Sequence, residues 1–120
     1  MKKSAIVAVA VLTLAGCDGG AAVTVRNESP HVLKHLVLRG SCFRTPVEDI
    51  KPHSSASYRL RPPCESGVGL EFEAAGRRVV SVPQGYFEGS AHYVVDVEVT
   101  PALAVVVTSN LAFKRDTARE

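Results

Sequence analysis

From residue 22 to residue 110 apolar and polar side chains repeatedly alternate one by one, and this period of two restricts the fold more than any other feature. Val23 and Val25 alternate with Thr24 and Arg26, and Ala56, Tyr58 and Leu60 with Ser57, Arg59 and Arg61. Val68, Leu70 and Phe72 alternate with Glu71 and Glu73, and Tyr93, Val95, Val97 and Val99 with Asp96, Glu98 and Thr100. Successive side chains of an extended chain point to opposite faces, so each run has one face to bury and one to wet. Three further runs are strand-like but less regular. Residues 32–39 are apolar on both parities at Leu36-Val37-Leu38, which predicts either a central strand or a bulge. Residues 79–82 and 103–108 are short apolar runs.

Turn residues separate these runs: Asn27-Glu28-Ser29-Pro30, Lys51-Pro52-His53, Pro62-Pro63, Ala75-Gly76, Gln84-Gly85 and Thr100-Pro101. No amphipathic helix of ordinary length and no internal repeat interrupts them. Seven or eight strands at this spacing predict an all-β fold, an antiparallel β-sandwich. The layout resembles the immunoglobulin-like sandwiches common in bacterial envelope proteins. The likeness rests on periodicity: the chain has no Trp, and Cys42 and Cys64 are too close in sequence for the inter-sheet bridge of antibody domains. It therefore implies a fold and no activity.

The amino terminus follows a different logic. Met1-Lys2-Lys3 carries positive charge, and residues 6–15 form an apolar run of about 10 residues, the length of a signal-peptide core and half that of a spanning helix. The run ends in Leu14-Ala15-Gly16-Cys17, which resembles the lipobox of bacterial lipoprotein precursors. That resemblance implies cleavage before Cys17, diacylglycerol on its thiol, and a mature protein held on a bilayer by two or three acyl chains. One chain alone holds only marginally. The expected organisation is a signal peptide over 1–16, a lipidated Cys and short linker over 17–21, a sandwich over 22–110 and a polar tail over 111–120. Asp18, directly after the lipidated position, implies retention at the inner membrane by the sorting rule of enteric lipoproteins, with the domain on the periplasmic side.

Cleavage also changes the charge. The chain has 14 Lys and Arg against 12 Asp and Glu, and without Lys2 and Lys3 the two signs balance. No basic field remains to attract nucleic acid. With Cys17 assigned to lipid, Cys42 and Cys64 are left in an oxidising compartment, where a structural disulfide is expected. Its geometry asks for an extra strand within 43–50, and Pro46 would make that strand an edge. The same count of strands sets the Cys64 loop and the loop over 84–91 at the pole where the chain enters the domain.

Chemistry-bearing groups are sparse. His31, His35, His53 and His92 lack carboxylate or thiol partners at metal-ligand spacing and read as turn or solvated residues, so no metal or other cofactor is expected. Ser54 and Ser55 follow His53 without a nucleophile elbow. Glu71 and Glu73 share the wet face of a strand, as strands of sandwiches commonly do. Arg39, Arg44, Arg59 and Arg61 form a candidate row for anionic groups, although arginines on outer strand faces commonly serve solubility. Gly85-Tyr86-Phe87-Glu88-Gly89 stands out, because two adjacent aromatics between glycines do not both enter a core easily. Tyr86, Phe87 and Glu88 are the candidate binding loop, with one ring expected to be exposed. These features favour a non-enzymatic envelope lipoprotein that contacts the membrane through its anchor and binds another envelope protein or fills a structural part. A small-ligand or glycan module and a hydrolase inhibitor are the alternatives.

Overall fold

A computed structural model describes residues 19–112. Among them are nine strands: β1 (Gly20–Asn27), β2 (Lys34–Arg39), β3 (Arg44–Pro46), β4 (Ser55–Leu60), β5 (Ser66–Ala74), β6 (Arg77–Val80), β7 (Gln84–Phe87), β8 (His92–Val99) and β9 (Val105–Leu111). They form two packed sheets, one of four strands in the order β4-β1-β8-β9 and one of five in the order β3-β2-β5-β6, with β7 also paired to β5. The fold is the expected all-β sandwich. Cys17, Asp18, the expected signal segment and residues 113–120 lie outside the described residues.

The period-two runs bury the faces their apolar residues occupy. Val23, Val25, Val95, Val97 and Val99 from the four-stranded sheet meet Leu36, Leu38, Val68, Leu70 and Phe72 from the five-stranded sheet, and all ten are fully buried. Burying a side chain of this size contributes about 1.5–3 kcal/mol. Leu36-Val37-Leu38 satisfies both readings: β2 lies inside its sheet between β3 and β5, and its register with β5 shifts between Lys34 and Val37. His35 takes up the bulge with φ of 53°, its backbone N–H donating to Asp49 Oδ1 at 3.0 Å.

Three expectations are corrected. A ninth strand exists, because the stretch read as a loop includes β7, which pairs with the start of β5 at Ser66 and Val68. β1 is parallel to β8 while every other strand pairing is antiparallel, since the first and penultimate strands are joined by the whole domain rather than by a hairpin. The sheet begins earlier than expected, because β1 already includes Gly20 and Ala21.

β6 and β7 share one edge of β5, and the chain between them crosses the outward side of that strand. A Cβ on Gly67 would stand 2.5 Å from Gln84 O, and one on Gly69 2.5 Å from Ser81 O. Glycine is required at both positions by this close backbone approach. Ser109 Oγ donates to Tyr86 O at 2.5 Å, tying β9 to β7 and closing that side of the sandwich.

The two ends of the sandwich are built differently. At the proximal pole, where β1 begins, Gly20 N–H donates to Ala91 O at 2.8 Å, and Gly19 lies against Gly89 O and Ala91 O. The Cys42–Cys64 disulfide, with Cα atoms 6.4 Å apart, braces the same end. The strand it requires is β3, an edge as Pro46 demands. At the distal pole Asn27, 1% exposed, donates from Nδ2 to the carbonyls of His31, Ile50 and Lys51 at 2.7, 3.2 and 3.0 Å. Its Oδ1 accepts from Ser29 N–H and Oγ–H at 3.0 and 2.7 Å. One buried amide thus pins two loops to the end of β1.

Candidate functional site

The aromatic candidates do not lie on a free loop. Tyr86 and Phe87 end β7, and alternation sends their rings opposite ways. Phe87 is fully buried, with its ring centroid 6.3 Å from that of Phe43, and closes the proximal end of the core. Tyr86 is 47% exposed and meets Tyr93 edge-on at 5.9 Å. Glu88 is half-buried and engaged locally, its carboxylate accepting from Ser90 N–H at 2.6 Å, Ser90 Oγ–H at 2.7 Å and Tyr93 O–H at 3.0 Å. These bonds, Ser90's side chain first, hold its carboxyl below the ordinary value. Desolvation first, and then the nearby carboxylates Glu65 and Glu88, push the Tyr86 phenol up; desolvation first, and then the bond to Glu88, do the same for Tyr93. Both phenols stay protonated and act as donors. Of the three candidates, Tyr86 is the most exposed.

The predicted arginine row divides between the sheets. Arg39 and Arg44 stand directly opposite each other across β2 and β3. Arg59 is paired with Ala22 in the other sheet, and Arg61 lies against Gly20 at the proximal pole. The group that forms instead centres on Glu71. Its Oε2 is 3.2 Å from Arg39 Nε, and its Oε1 accepts from Arg44 Nη2 and from Arg78 Nη2, each at 2.9 Å. Glu71 was expected on the wet face with Glu73. It does face outward, yet its side chain is only 10% exposed against 49% for Glu73, because β5 is interior to the sheet and arginines from β2, β3 and β6 close over it. Arg44's hydrogen bond, and then the charges of Arg44, Arg78 and Arg39, hold the carboxyl below its ordinary value against desolvation. Beside it runs a shallow groove of about 470 Å³ lined by Arg39, Gly40, Ser41, Cys42, Phe43 and Arg44, with Glu71 as its floor. Arg78 escaped the sequence reading because its nearness to Glu71 depends on the β5–β6 register.

The inverse arrangement occupies the outer face of the four-stranded sheet. Arg26 donates to both oxygens of Asp96, from Nε at 3.1 Å and from Nη2 at 2.9 Å, and to Glu28 Oε2 from Nη1 at 3.0 Å. Glu98 Oε1 is 3.7 Å away. Asp96 is held below its ordinary value, by Arg26's hydrogen bonding first and by its charge next. Sequence reasoning had no signal for this group. Arg26 and Glu98 are 72 positions apart, and only the parallel register of β1 with β8 makes them neighbours.

The histidines are dispersed. His31 lines a distal groove of about 650 Å³ with Pro30, Lys34, Pro52, Glu73 and Arg77, and His35 Nδ1 is 3.2 Å from Glu73 Oε1 at the β2 bulge. His53 sits in a turn with φ of 57°, and His92 begins β8. Ser54 Oγ donates to Pro52 O at 3.3 Å. Among the described residues no three His, Cys, Asp or Glu side chains gather as a metal would need. No protein family matches the chain, and no curated protein matches it either.

Proposed function

We propose that the chain is an envelope lipoprotein, cleaved before Cys17 and acylated on its thiol, whose sandwich stands on the periplasmic side of the membrane as a non-enzymatic binding or structural module. The observation that carries this reading is the Leu14-Ala15-Gly16-Cys17 motif, and where the sheet begins sets how near the domain would stand to it. Gly20 is already paired with His92, so Asp18 and Gly19 alone separate it from the Cys17 of the Leu14-Ala15-Gly16-Cys17 motif. Three residue steps reach about 10 Å when fully extended. An acylated Cys17 therefore keeps the proximal pole against the headgroups, with Tyr86 on that pole at the depth where amphipathic rings favour the interface. The outer faces of both sheets and the distal groove are left for another envelope protein. Asp18 favours the inner membrane under the enteric sorting rule.

The test is the mass of the mature amino terminus together with fatty-acid labelling in cells. The reading predicts a chain beginning at an acylated Cys17 that sediments with membranes, and a Cys17→Ala variant that loses both the label and the sedimentation. An unmodified, uncut amino terminus overturns it.

A further inference from the structure

The two charge networks lie on opposite outer faces and have opposite sign. On the five-stranded sheet Arg39, Arg44 and Arg78 surround the one carboxylate of Glu71. On the four-stranded sheet Glu28, Asp96 and Glu98 surround the one guanidinium of Arg26. Each network has two charges more than its centre compensates, and each face keeps one in excess once Glu73 opposite Arg78 and Arg59 opposite Ala22 are counted. Arg44 and Arg78 each reach Glu71 through a single Nη2 and remain 59% and 56% exposed, so most of each guanidinium fork still faces water. Glu28 and Asp96 are 42% and 41% exposed. Aliphatic side chains accompany both groups. Val80 is paired with Glu71 across β5 and β6, and Val106 with Glu98 across β8 and β9; they are 52% and 46% exposed.

We propose that these faces bind each other, the acidic face of one copy docking on the basic face of the next. The contact is heterologous, so copies add head to tail rather than closing as a two-fold pair. The faces are complementary in charge, the exposed carboxylates of Glu28 and Asp96 offering acceptors to the N–H groups of Arg44 and Arg78 that Glu71 leaves unused. Resting on the tethered reading above, the levels also match: Glu71 lies midway along β5 and Asp96 midway along β8, and both strands start at the proximal pole. Copies standing on one bilayer by that pole present the two networks at the same height. Exposed ion pairs are individually weak, and confinement to a surface raises the effective concentration that makes weak contacts count.

The experiment is sedimentation velocity of the purified full chain in detergent, over a range of concentration up to about 1 mM, the order of effective concentration that confinement supplies, at low and high ionic strength. The proposal predicts association at low salt that weakens at least tenfold at high salt. Arg44→Gln/Arg78→Gln and Glu28→Gln/Asp96→Asn should each fail to associate alone, while an equimolar mixture forms pairs and stops at two, because one intact acidic face and one intact basic face remain. Val82→Asp, at a 67% exposed position on the Arg78 side, should weaken association without threatening the fold and stands in if the arginine variant does not fold. A monomer at every condition, association indifferent to salt, or a mixture that recovers no pair overturns the proposal. Acylation is read separately from mass, so loss of the anchor and loss of the contact are distinguishable.

Discussion

At Glu71 burial and charge pull the carboxyl in opposite directions, and charge prevails: Arg44's hydrogen bond, then the fields of Arg44, Arg78 and Arg39, keep it below 4.5 despite desolvation. Asp96 is lowered from 3.8 in the same way by Arg26. A folded-state value below the unfolded one means that the unfolded chain takes up the proton first as pH falls. The stabilisation is therefore complete above the ordinary carboxylate values and is lost as pH drops through the lowered ones. Thermal melts taken from neutral pH down to about pH 3 should show the native protein losing stability in that window. Glu71→Gln should be less stable at neutral pH and lose less on acidification; an unchanged slope would contradict the role given to this carboxylate. Glu71 also marks how far local pattern reaches. Alternation assigned it correctly to the outward face, but whether that face is wet depends on what the neighbouring strands carry, and Arg39, Arg44 and Arg78 come from three other elements.

Among the elements, β5 is the most constrained, since it pairs with β2 on one side and with both β6 and β7 on the other. Gly67 and Gly69 admit the crossing chain, so adding one methyl at Gly69 drives a Cβ to 2.5 Å from the Ser81 carbonyl oxygen and forces backbone to move. Gly69→Ala is expected to destabilise by about 1–3 kcal/mol in urea denaturation. Gly89→Ala, where the nearest atom is 3.6 Å away, should stay within about 0.5 kcal/mol. Equal effects would mean that the crossing is not held this tightly. The long period-two runs became β1, β4, β5 and β8 with the anticipated faces inward. β7 was missed because Gln84-Gly85 and Gly89 carry turn chemistry and the strand is too short to show a period. Its pairing partner lies in β5, which propensity alone does not reveal.

In the whole molecule the disulfide and Asn27 secure opposite ends of one core. Cys42 and Cys64 are separated by 22 positions, and opening a loop of that size is expected to cost about 3 kcal/mol through the freedom returned to the unfolded chain. The Cys42→Ser/Cys64→Ser double variant should show that loss in its denaturation free energy while keeping the strand signature in circular dichroism; a stability equal to the parent would assign the bridge no such part. The bond also ties down Cys42 in the wall of the Arg39–Arg44 groove, so stability and the shape of the basic face are coupled. Fold class, which residues face inward on the regular strands, the edge position of Pro46 and the cysteine pair were all legible in the chain, because each follows from local pattern: a period of two, a missing amide proton, and two cysteines within the strand-forming region. The parallel union of β1 with β8, the strand β7, and the grouping of Arg26 with Asp96 or of Glu71 with three arginines were decided by tertiary structure. Each requires two segments distant in sequence to meet in one register, and register is settled by packing the two sheets against each other rather than by any local run of residues.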